Sequence, residues 1–153
     1  MIEYPKYLPA PQLDGFGLNT ADPTIRSEMQ SGRARQRRRF TNVPESAQCS
    51  WLMTPLQASY FKAWHKSVLI DGAEWFSCRL RTQDAIDGTM DYDCRFVGMY
   101  SGPRWAPRNM WMFSATLELR ERTMMPPQWL PFPEFWFNGN IIDMAMNREW
   151  PEA

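Results

Sequence analysis

The sequence predicts a mainly β fold: an antiparallel β-sandwich or barrel-like domain with one flanking α-helix at about 55–68, and extended arms at both ends. Three observations carry this expectation. Residues 108–122 alternate apolar Trp111, Phe113, Ala115, Leu117 and Leu119 with Met112, Ser114, Thr116, Glu118 and Arg120, the period-2 pattern of a strand with one buried face. Between Gly32 and Arg122, only the stretch after Thr54 carries a full set of helix signals. Both ends of the chain are punctuated by proline. The organisation that follows is an N-terminal arm over 1–29, a β-domain with its single helix over 30–122, and a Pro/aromatic-rich C-terminal arm over 123–153.

The N-terminal arm carries Pro5, Pro9, Pro11 and Pro23, with turns at Asp14-Gly15 and Gly17. Tyr4, Tyr7, Leu8, Leu13, Phe16 and Leu18 are its anchors, either on its own domain or on a neighbour. Residues 30–40 then read as a strand. Arg33, Arg35, Arg37 and Arg39 share one face of it, with Ala34, Gln36, Arg38 and Phe40 on the other. Such a face suits solvent, intersubunit ion pairs or nucleic-acid phosphates. Asn42-Val43-Pro44 gives a hairpin-like connection to a second strand at 46–53, where Ala47, Cys49, Trp51 and Met53 alternate with polar neighbours.

Thr54 is the expected N-cap of the helix, Pro55 suits its first position, and Gln57 completes a capping box. Leu56, Tyr60, Phe61, Trp64 and Val68 form the predicted packing stripe, and Asp71-Gly72 ends the run. Strands follow at about 74–80, with Trp75, Phe76, Cys78 and Leu80 as packing residues, and at 91–100, with Tyr92, Cys94, Phe96 and Tyr100 on one face. Ser101-Gly102-Pro103 is expected to break the latter. The strand at 108–122 is the longest and belongs in the middle of the sheet. Beyond it, Pro126, Pro127, Pro131 and Pro133 interleave with Trp129, Phe132, Phe135, Trp136 and Phe137. The prolines disfavour regular helix or central strand, and the aromatics need a surface to cover, on this domain or on a neighbouring subunit. A short helix is expected over 141–150.

The chain has 153 residues and zero formal net charge, so bulk electrostatics give no reason to expect nucleic acid or membrane as partner. No run of eighteen apolar residues is present, and none spans a membrane. Met1 to Ala10 lacks the basic start and apolar core of a signal peptide. Cys49, Cys78 and Cys94 are odd in number and unlike a zinc set. Buried free thiols formed in a reducing cytoplasm are the expectation. Eight Trp, nine Phe and eleven Met favour an assembling protein, because such side chains are enriched at interfaces.

No catalytic motif is present. His65 is the only histidine; its pairing with a cysteine in a hydrolase is one option, a packing role the other. Asp84, Asp87, Asp91 and Asp93 lie close together, but the distal Glu of a calcium loop is missing. The expectation is a protein without enzymatic activity, cofactor or metal.

In order, the motifs are Gly32 followed by the Arg33 to Arg39 strand, the Trp51 strand running into the capped helix to Trp64, the Gly72 to Phe76 turn, Arg95-Phe96, and Ser114 to Glu118. Together they resemble the minor tail protein M family of tailed bacteriophages and the related distal tail proteins, over about residues 30–122. The resemblance implies a structural virion protein that folds in the host cytoplasm. Its subunits, six expected, would form a tail-tip, distal tail or adaptor ring. The ring would join the tail tube to the tip or baseplate, with genome DNA passing through without specific binding. Arg33, Arg35, Arg37 and Arg39 would then face the passage or a neighbour. Trp129, Phe132, Phe135, Trp136 and Phe137 would dock on a partner. The alternative is a nucleic-acid-binding module that uses the Arg33–Arg39 strand.

Overall fold

The computed structural model describes residues 1–12, 15–30, 32–83 and 88–138. The chain divides into two units, Met1–Thr123 and Met124–Ala153. The first is mainly β, consistent with the predicted β-sandwich with one helix. Its strands are β1 (Ile2–Glu3), β2 (Gly17–Thr20), β3 (Thr24–Ser27), β4 (Arg35–Arg38), β5 (Glu45–Met53), β6 (Phe76–Leu80), β7 (Met90–Phe96), β8 (Ser101–Ala106) and β9 (Met110–Leu119), with helix α1 (Pro55–Ser67) between β5 and β6. Seven strands form one sheet in the order β1-β6-β7-β9-β5-β2, with β8 also on β9, while β3 and β4 form a sheet of their own.

β9 is central because both of its edges are used. β5 pairs along one edge from Glu45↔Leu119 to Met53↔Trp111. The other edge is shared, with β7 on its C-terminal half and β8 on its N-terminal half. The strand predicted over 91–100 is therefore two strands. The chain leaves the ladder after Phe96 and rejoins it at Ser101, where a break was expected. A register shift between Ser101 and Arg104 accommodates Pro103, which has no N–H to give. The sheet is mixed, because β1 runs parallel to β6.

One face of this sheet is the core. Ala47, Cys49, Trp51 and Met53 of β5, Phe113, Leu117 and Leu119 of β9, Cys94 and Phe96 of β7, and Phe76, Cys78 and Leu80 of β6 are all buried there. Helix α1 covers it. Thr54 and Gln57 close the capping box, with Thr54 N–H donating to Gln57 Oε1 at 3.0 Å and Gln57 N–H to Thr54 Oγ1 at 3.4 Å. Phe61 meets Phe113 at 5.1 Å and Trp51 at 5.8 Å between ring centroids, and Trp64 meets Phe76 edge-on at 5.3 Å.

The helix is rotated from the predicted stripe. Ala58, Phe61, Trp64 and His65 are buried, whereas Leu56 is 84% exposed and Tyr60 and Val68 are exposed too. Leu56 and Tyr60 lie one position before the Gln57–Phe61 row, about 100° further round the helix. A single flat sheet face cannot reach both rows.

Residues 1–29 are not an arm separate from the domain, and the expected boundary at 29/30 is corrected. β1 and β2 are strands of the main sheet, and β3 pairs with β4. Leu8 is buried, and Tyr4, Phe16 and Leu18 pack against the core, while Tyr7 is exposed. Tyr4 packs edge-on against Trp64 at 5.7 Å and its hydroxyl donates to Pro9 O at 2.8 Å. Gln57 Nε2 donates to Tyr7 O at 2.9 Å, tying this segment to the start of α1. Apolar side chains in a proline-rich stretch thus found the nearest open core. Leu13, the Asp84 and Asp87 carboxylates, and the helix expected over 141–150 lie outside the described residues.

The second unit holds a 3-10 turn at Pro127–Trp129 and a short helix α2 at Pro133–Phe137. Proline disfavours a helix interior, but Pro133 occupies the first helical position, where its missing N–H costs nothing. Among the described residues, no helix is long and apolar enough to cross a membrane.

Candidate functional site

The arginine segment forms a two-stranded ribbon with β3, in the register Thr24↔Arg38, Ile25↔Arg37, Arg26↔Gln36 and Ser27↔Arg35. Its expected hairpin with the Trp51 strand is not formed. β5 has an apolar face that β9 and β2 bring onto the core, whereas every residue of β4 is exposed. The predicted one-sided strand is also shorter than expected. Arg35 and Arg37 share a strand face, but Arg33 precedes the strand, next to Gly32 at φ +78°. Arg39 follows the strand; its N–H and that of Phe40 both reach Pro23 O, at 2.8 and 3.2 Å, and close the ribbon's base.

The guanidiniums are unequal. Arg38 is committed to the base of the ribbon, with Nε donating to Phe40 O at 3.1 Å and Nη2 to Thr41 O at 3.0 Å. The Arg39 guanidinium lies 5.0 Å over the Phe40 ring. Among the described residues, the ion pairs within 4.0 Å are Arg95–Glu118 and Arg120–Asp93, so none holds Arg33, Arg35 or Arg37, although Glu28 lines the same cleft as Arg33. The opposite face of the ribbon is tied locally, by Gln36 Nε2 to Thr24 Oγ1 at 3.2 Å and by Thr24 N–H to Asp22 Oδ1 at 2.8 Å.

A second surface is apolar. Tyr100 packs edge-on against His65 at 4.9 Å, and Gly72 lies against His65 and the Phe96 Cβ. The turn after α1 and the turn between β7 and β8 are therefore neighbours. On these turns Val68, Ile70, Val97 and Met99 are exposed. Beyond them runs β8, which among the described strands pairs only with β9 and presents Trp105, 70% exposed. Sequence reasoning missed this surface because it took Ser101-Gly102-Pro103 as an end rather than an irregularity.

A third feature is the root of the C-terminal segment. Glu45, at the start of β5, is buried. Its Oε2 accepts from Thr123 N–H at 2.8 Å and Thr123 Oγ1 at 2.7 Å, and its Oε1 from Thr20 Oγ1 at 2.8 Å. Gln83 Nε2 donates to Thr123 O at 2.7 Å, and Arg122 Nε to Val43 O at 3.2 Å. Burial pushes the Glu45 carboxyl up, but the Thr123 and Thr20 bonds and the Arg122 charge more than offset it and hold it below the usual range. No sequence pattern singled out Glu45. Past this root, Trp129, Phe132 and Phe137 are exposed, and Trp136 is half-buried within α2. Phe135 lies on α2 between them.

The chemical candidates resolve differently. The three cysteines are buried free thiols. Burial pushes all of them up, Cys49 to about 12, away from the thiolate a nucleophile needs. His65 is 1% exposed and packs against Phe61, Phe96 and Tyr100 rather than a cysteine. Burial pushes its imidazole down, with Asp71 partly opposing. Asp91 and Asp93 lie two residues apart on β7, on the face away from the core, and Asp93 faces Arg120 at 3.8 Å. Among the described residues, no three His, Cys, Asp or Glu side chains converge as a metal site. No family model, curated protein or solved structure matches this chain.

Proposed function

We propose that the chain is a non-enzymatic structural subunit of a tailed-bacteriophage virion. In this reading it is a ring-forming tail-tip, distal tail or adaptor protein, joining tail tube to tip or baseplate around the DNA passage. The observation that carries the proposal is the exposed apolar surface around β8. A strand edge with no described partner, carrying the exposed Trp105 and led into by a turn with Val97 and Met99 exposed, is a liability in a lone subunit. It is an asset to one that meets copies of itself. The motif order from Gly32 to Glu118 and the mainly β fold with one helix agree with it. Partners in this reading are five or so further copies and the tail-tube, hub or baseplate proteins, with Trp129, Phe132, Phe135, Trp136 and Phe137 as the docking segment.

The test is the native mass of the full chain over a range of concentrations, alone and on a tail-tube or hub protein. A closed ring that Trp105→Glu dissolves into folded monomers supports the reading. A strict monomer under both conditions refutes it. Deleting residues 124–153 is expected to leave the first unit folded and to weaken docking. The deletion must spare Thr123, whose backbone and side chain complete the Glu45 site.

A further inference from the structure

The assembly reading turns the arginine face toward the DNA passage or a neighbour but gives it no ligand. Residues 21–41 hold six arginines against two carboxylates in a chain with no net charge, so the charge is segregated here. Arg38 and Arg39 are engaged at the ribbon's base. Arg35 and Arg37 stand about 7 Å apart on one strand face, opposite Ser27 and Ile25. Arg33 extends the positive charge toward the turn at Gly32.

We propose that this face binds the phosphate backbone of double-stranded DNA, without reading its sequence, through Arg33, Arg35 and Arg37. Guanidinium forks match phosphate oxygens, and a two-stranded ribbon is narrow enough to enter a major groove. The composition argues against two other ligands. A single strand needs aromatic platforms for its bases, and the ribbon's one aromatic, Phe40, sits at the base under Arg39. A protein partner needs a desolvated apolar centre with few charges, and the paired residues of the ribbon offer only Ile25. A solvated polyanion needs neither.

The inference goes beyond the assembly reading and stands apart from it, because a monomer can bind and a ring can fail to. The full-length chain is titrated against a fluorescent random-sequence duplex over a salt series. Arg35→Gln/Arg37→Gln is expected to reduce the slope of log affinity against log salt by about 1.8, and the triple variant with Arg33→Gln by about 2.7. Lys62→Gln/Lys66→Gln removes the same charge as the double variant from the exposed side of α1 and is expected to leave the slope unchanged. Circular dichroism confirms that each variant is folded. No retention of duplex at low salt, an equal loss in the lysine variant, or tighter binding to a single strand of the same length overturns the proposal.

Discussion

β4 and β5 are separated by only six residues, yet they are strands for opposite reasons. β5 buries alternate side chains from Glu45 to Met53 and is laddered on both edges. β4 buries none; it is held by its ladder to β3, by Pro23 O and by Arg38. The first strand is made by the hydrophobic effect and would exist in almost any context that covered its face. The second is made by hydrogen bonds, from the backbone and from the Gln36 and Arg38 side chains, each of modest net value. A strand that contributes so little to the core is free to present its side chains outward. β5 therefore contributes to the stability of the core, whereas β4 leaves every side chain exposed.

Point substitutions test the difference between the two strands. The largest effect is expected at the aromatic centre: Phe61→Ala should lower unfolding stability by about 3–5 kcal/mol in urea titration, because Phe61 is fully buried against Trp51 and Phe113. A loss below 1 kcal/mol would mean that the helix is not seated on the sheet. Next comes Glu45→Ala, which strands the buried Thr123 donors and should cost about 2–3 kcal/mol. Its carboxyl is held below the usual 4.5 in the fold. The stability it contributes is thus fully present above that value and is lost as pH falls through the folded pKa. The alanine variant should show a flatter acid limb in a pH series of melts.

Gly72→Ala comes third. Gly72 has φ +88°, and an added Cβ would lie 2.9 Å from His65 Nε2 and 3.0 Å from the Phe96 Cβ. Strain of about 1–3 kcal/mol is expected, read as a lowered Tm. His65 gives a smaller, pH-dependent effect. Burial depresses its pKa, so the unfolded chain binds more protons below the ordinary value of 6.5. Stability is therefore full above about 6.5 and declines as pH falls toward the folded pKa; His65→Leu should remove that slope. The smallest effect closes the comparison: Arg35→Gln/Arg37→Gln should change stability by no more than about 0.5 kcal/mol. A cooperative loss there would show that the ribbon is part of the core's support.

Local chemistry made much of the fold legible. Thr54, Pro55 and Gln57 carry their helix-start information within four residues, and the cap they predict is the cap observed. The alternation in β5 and β9 predicts both strands and their buried faces, because a period of two admits only one apolar side. Burial of the three cysteines followed from their places in the predicted strands, Cys49 on β5, Cys78 on β6 and Cys94 on β7. The sites were less legible. The Arg33–Arg39 run reads as one strand face, but Gly32 and the register with β3 shorten it to Arg35–Arg38.

The capped helix and the core faces of β5 and β9 were legible in the residues alone, since these depend on neighbours a few positions away, whereas β1–β3 and β8 were not. Which strands pair was settled by the packing of the whole fold. It drew Ile2–Glu3 beside Phe76–Ser77 and turned β4 away from β5. It set the rotation of α1 that leaves Leu56 in solvent and His65 buried, and it joined Glu45 to Thr123 across 78 positions. Those choices depend on which apolar surfaces can be covered at the same time, and that competition is settled by the whole chain.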